Sequence, residues 1–122
     1  APTSVKWISK ATNRVLEELI GRKDGGKRLS GLYHCSSQGS TSWHGFAVFL
    51  IERAILLGYP LLTKPELIRA VSTAEINQIA IRPKNSLLNN EKFARSFSIE
   101  VPSWRQQAET FLNDFKEEGL SQ

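Results

Sequence analysis

The chain has 122 residues, 40% of them apolar, with 16 Lys/Arg against 12 Asp/Glu and a formal net charge of +4. That is enough material for one modest core. It lies outside the compositional range of disordered chains, and it contains no apolar run long enough to span a bilayer. The charge is uneven, with seven cations against three acids in residues 1–28, seven against four in 29–99, and two against five in 100–122.

Cys35 is the only cysteine, which excludes a disulfide within the chain and points to a reducing, intracellular setting, in the cytoplasm or with the nucleic acid. There is no signal peptide or lipidation motif. Methionine is absent even at position 1, which suits a processed product or a piece of a longer protein.

In chain order, residues 4–21 predict an amphipathic helix with Val5, Ile8, Val15, Leu16, Leu19 and Ile20 on one stripe, Thr3 or Ser4 as cap and Gly21 as stop. The loop GRKDGGKRLSG at 21–31 follows. Its Gly21, Gly26 and Lys27 match the phosphate-cradling G-x-x-x-x-G-K pattern. However, Arg28 stands where Ser or Thr should reach magnesium, and the loop follows a helix instead of a strand. Arg22, Lys23, Lys27 and Arg28 are therefore read as a basic loop that touches phosphates without specificity.

Residues 32–35 read as a short strand. His34, Cys35 and His44 have irregular spacing and lack a fourth partner, so no metal or other cofactor is expected. Cys35 with His44 as nucleophile and base makes a small Cys/His enzyme the remotest reading; Cys35 as a small core residue is the bland one.

The stretch Trp43–Leu57, WHGFAVFLIERAILL, is apolar on every face and predicts a central helix buried on all sides, capped by Ser40, Thr41 or Ser42 and stopped at Gly58 and Pro60. Thr63–Glu66 and Ser72–Glu75 each read as a capping box, giving two short helices over 64–71 and 73–82 with a break between them. That pair resembles a helix-turn-helix, with Val71, Ile76 and Ile79 inward and Thr73, Asn77, Gln78 and Arg82 outward, followed by Lys84. Amide side chains there suit base edges, and the cations suit phosphates.

Ser86 or Asn90 can cap a short helix carrying Phe93 and Phe97, and 97–101 alternates as a strand would. Ser103 and Gln106 form a capping box for a last helix, with Trp104, Ala108, Phe111, Leu112 and Phe115 inside, Glu109, Asp114, Glu117 and Glu118 outside, and Gly119 as stop.

The expectation is a single, mainly α domain over 1–122, built around a buried central helix, winged-helix-like with one or two short strands. The first functional expectation is a non-enzymatic nucleic-acid-binding module that takes DNA or RNA through Arg22, Lys23, Lys27, Arg28, Thr73, Asn77, Gln78, Arg82 and Lys84. The alternative is a protein-interaction domain of a larger protein that docks an acidic surface or self-associates, with no membrane partner.

Overall fold

The helix α1, Val5–Ile20, opens the fold because Ser4 caps it: its hydroxyl accepts from the Trp7 backbone N–H at 3.1 Å, and Gly21 closes the last turn. The computed structural model describes residues 1–23, 26–75, 83 and 85–119. These residues are mainly α-helical, with four α-helices: α1, α2 (Trp43–Leu56), α3 (Glu91–Phe97) and α4 (Trp104–Gly119). Single 3₁₀ turns stand at Lys27–Leu29, Pro65–Leu67 and Thr73–Glu75. Among the described residues there is no strand, and no helix is long and apolar enough to cross a membrane. The chain divides into two units, one of residues 1–40 and 87–107, the other of 41–86 and 108–122.

In the first unit α1 packs on α3, and Trp7, Ala11, Phe93, Phe97 and Val101 form the core. Trp7 and Ala11 are one helical turn apart, as are Phe93 and Phe97, so each helix presents one narrow apolar edge to the other. Tyr33 closes the cluster, its ring centroid 5.1 Å from that of Phe97, and Val15, Leu29, Cys35, Ala94 and Ile99 pack around it. The buried edge of α1 is only partly the predicted one: Val15 packs against the core, but Val5 and Ile20 are each 84% exposed. An indole offers more apolar area than any single aliphatic side chain, so the face carrying Trp7 turns inward.

The predicted strand at 97–101 does not form, because Ser98 ends α3 in the left-handed region at φ 47 and the Ile99 N–H returns to the Ala94 carbonyl at 3.1 Å. Residues 32–35 form no helix or strand and have no ladder partner among the described residues. Gln38 and Ser103 form an isolated parallel bridge. A winged-helix hairpin is thus absent among the described residues.

In the second unit Ser42 caps α2 by accepting from Gly45 N–H at 3.0 Å, and Gly58, at φ 81, follows the helix end. The central helix is not buried on all sides. Only Ala54 is buried, Trp43 is 79% exposed and Leu56 73%. A unit of this size has too little chain to wrap a helix that is apolar all round. What holds α2 on one side is polar and aromatic. Arg53 pairs with Glu109, Lys116 Nζ donates to the Leu57 carbonyl at 2.6 Å, and the Tyr59 hydroxyl donates to the Leu112 carbonyl at 2.6 Å. Tyr59 also stacks on Phe115, which stacks on Phe111. Those two phenylalanines are more than half exposed, so the inner edge of α4 is Trp104, Ala108 and Leu112.

The predicted helix pair over 64–82 is corrected where it is described. Pro65–Leu67 makes one turn without a side-chain cap, and Ile68 leaves it in an extended conformation. At Thr73–Glu75 the predicted box does close, with Ser72 N–H on the Glu75 carboxylate at 2.8 Å, but it closes only one described turn. Leu67 and Val71 are exposed, so the first segment lacks the packed face that sustains a short helix in water. The remainder of the second predicted helix, residues 76–82, lies outside the described residues.

Candidate functional site

The first unit contains an open cleft of about 610 Å³ between three pieces of chain: the polar loop 37–39, the segment 87–91 leading into α3, and residues 99–101 beyond it. Its floor is fixed by side chains bonding to backbone. Asn90 holds Ser36, with Oδ1 accepting from the Ser36 N–H at 3.1 Å and the Ser36 hydroxyl at 3.2 Å, while Nδ2 donates to the Ser36 carbonyl at 2.9 Å. The amide of Asn90 thus stands in for a neighbouring strand by satisfying both backbone groups of one residue. Asn90 occupies the cap position of α3 but makes no cap bond there; Asn89 Oδ1 accepts from the Glu91 N–H at 2.7 Å instead.

The next residue, Ser37, is 2% exposed. Its N–H donates to Thr3 Oγ1 at 3.0 Å, and its hydroxyl donates to the Pro2 carbonyl. Gln38 is gripped through its backbone: its N–H donates to the Pro102 carbonyl at 3.0 Å, and its carbonyl accepts from Trp104 N–H at 3.1 Å. The buried Gln107 amide adds a further tie, accepting from the Ser4 N–H at 2.8 Å and donating to the Pro102 carbonyl at 3.2 Å.

The lining is hydroxyl, amide and aliphatic, with two carboxylates, Glu91 and Glu100, and neither Lys nor Arg. Glu91 lies 3.8 Å from Arg95, one helical turn on. Such a surface suits a neutral, hydroxyl-bearing group with an apolar face and repels an anion.

Those sequence-predicted site residues that are described lie elsewhere. Arg22 folds back on α1, with Nε donating to the Glu18 carbonyl at 3.1 Å and Nη2 3.9 Å from its carboxylate. Lys23 is exposed near the end of α1, and Lys27 and Arg28 are exposed in the following turn. Gly26 begins that turn at φ 76, and a Cβ there would stand 2.4 Å from Leu19 Cδ2. The Gly26–Lys27 pair thus makes a tight turn against α1, where the phosphate-cradling pattern would need the start of a helix. Thr73 is exposed in the second unit, and Asn77, Gln78, Arg82 and Lys84 lie outside the described residues.

Cys35 packs on the first unit's core, where burial pushes its thiol above the ordinary value and the Trp7 indole N–H offsets only part of that rise. A thiol shifted upward is a poorer source of thiolate. His44 Nε2 faces the Ile68 carbonyl at 3.0 Å. Neither environment is that of an activated nucleophile and its base. Among the described residues no group of His, Cys, Asp and Glu could hold a metal ion.

The cleft escaped the sequence reading. Ser36, Ser37 and Gln38 read as a polar turn, Asn90 only as an alternative cap to Ser86, and its neighbour Asn89 is not singled out. The available signal was that pair of asparagines before one short helix, since one cap position leaves the second amide for another task.

Compared with known proteins, residues 1–117 match the family described as the RmlD substrate binding domain. The chain is 32% identical to the dTDP-4-dehydrorhamnose reductase of Escherichia coli K12 over 93% of its own length and 36% of that protein's. It is 37% identical to the dTDP-4-dehydrorhamnose reductase of Burkholderia thailandensis over 86% of its own length and 35% of that protein's. The reductase of that name from Shigella flexneri is 31% identical over the same shares as the Escherichia coli protein. The chain therefore spans about a third of the length of these relatives.

These matches overturn the nucleic-acid-binding module, the helix-turn-helix and winged-helix descriptions, the expectation of no enzymatic role, and DNA, RNA or an acidic protein surface as the partner. With residues 1–117 matched, the chain belongs to the RmlD substrate-binding-domain family.

Proposed function

We propose that this chain supplies the substrate-binding part of a sugar-nucleotide reductase and that its ligand is a dTDP-linked deoxyhexose carrying a ketone. The match of residues 1–117 to a substrate-binding family carries this reading. The names of the relatives supply the substrate class, and the cleft supplies hydroxyl, amide and carboxylate groups that match a neutral, hydroxylated ligand. In such a reaction a hydride is added to the carbonyl carbon and a proton to its oxygen. The part given to this chain is to bind and orient the sugar, which turns an encounter into a positioned reaction.

A reductase needs a hydride donor, and a dinucleotide donor asks for a glycine-rich turn between a strand and a helix. The glycines at 21 and 26 follow α1 and precede a single 3₁₀ turn, so they do not fit that group. An intracellular location belongs to the same proposal, since a sugar nucleotide is a metabolite of the cell interior.

Calorimetric titration of the full-length gene product with dTDP-rhamnose, and with an adenine-linked sugar nucleotide as control, tests the reading. Saturable binding of the dTDP sugar with at least about tenfold preference over the control, a difference of about 1.4 kcal/mol, is the expected result. No binding, or equal binding of both, would overturn it.

A further inference from the structure

We propose that Gln38 is the residue that reads the sugar hydroxyls of the ligand, an inference that rests on the substrate-binding reading above. Its backbone is held on both sides, by the Pro102 carbonyl and the Trp104 N–H, and its side chain is left exposed on the lining of the cleft. The loop around it cannot drift. Ser36 is clamped by Asn90, Ser37 is buried against Pro2 and Thr3, and Gly39 turns at φ 86 with the Trp104 ring 3.4 Å from where a Cβ would stand. With the backbone already fixed, binding has to order only the Gln38 side chain and not the loop that carries it, which favours its use as a recognition group.

The chemistry of the lining selects the part of the ligand that Gln38 meets. Glu91 and Glu100 repel a diphosphate, and no Lys or Arg lines the cleft to hold one. No aromatic ring lines it to stack on a base. The sugar is the remaining part: neutral, rich in hydroxyls, and apolar at its deoxy positions, where Leu87, Leu88 and Ile99 offer aliphatic surface. One carbonyl oxygen and one NH₂ on the same planar amide accept from and donate to two neighbouring hydroxyls.

The test compares dTDP with dTDP-rhamnose on the full-length gene product, wild type and Gln38→Ala, by calorimetry. Wild type should bind the sugar nucleotide more tightly than dTDP. The variant should lose about tenfold in affinity for dTDP-rhamnose, as expected for two hydrogen bonds, and keep its dTDP affinity within about twofold. Equal losses for both ligands, no loss for either, or a wild type that gains nothing from the sugar would overturn the assignment to Gln38 and leave nucleotide binding standing. A wild type that binds neither ligand would remove the substrate-binding reading, and this inference with it.

Discussion

Replacing Phe97 by Ala should cost about 3–5 kcal/mol of folding stability, read as a lower urea midpoint in the full-length gene product. Phe97 is 3% exposed and sits between two other rings, its centroid 5.2 Å from Phe93 and 5.1 Å from Tyr33. Its removal takes away the transfer energy of a large side chain and the contacts of both neighbours. The cavity cannot close easily, because Ser98 directly after it is fixed in a left-handed turn. A midpoint within error of wild type would mean that the Trp7–Phe93–Phe97 cluster is not the core of the first unit. The same substitution at Phe111, which is 58% exposed, should cost much less, so the pair separates burial from mere apolarity.

Asn90→Ala should cost about 1–3 kcal/mol, although the residue is only partly buried. The loss does not come from capping, which Asn89 performs. It comes from Ser36, whose N–H, hydroxyl and carbonyl all lose their partner at once, and from the weaker 3.5 Å contact to the Ser37 carbonyl. Asn90→Asp should fall between wild type and Ala, since it keeps the acceptor and loses the donor. Urea denaturation of the three proteins checks the order. An Asp variant as stable as wild type would show that the donor side of the clamp contributes nothing.

The parts of this fold that were legible in the sequence are local ones. Ser4, one of two candidate caps, Ser42, one of three, and the Ser103–Gln106 box each act within four residues and form their cap bonds. A short helix carrying Phe93 and Phe97, offered by the candidate caps Ser86 and Asn90, likewise stands as α3.

What failed depended on the rest of the chain. The choice between two apolar edges of α1 was made by Trp7, whose burial requires α3, more than 80 residues on. The apolar girth of α2 says that it seeks cover, but not how much cover its unit can supply. Two capping signals at 63–66 and 72–75 suggested helices, yet a capping signal starts a turn and only packing extends it. The cleft was invisible for a similar reason. Its floor is set by an asparagine and a serine 54 residues apart, joined through side chain and backbone, which leaves no period to read. Clustered charge drew attention to Arg22–Arg28 instead, while the lining of the cleft carries neither Lys nor Arg.

The measurement that bears most directly on the central claim is hydrogen–deuterium exchange of the full-length gene product with and without saturating dTDP-rhamnose. The account predicts slower amide exchange at 36–39, 87–91 and 99–101, the three pieces that line the cleft or fix its floor, and little change in the basic turn at 26–29. Binding that protects the basic turn and leaves those three segments unchanged would contradict it.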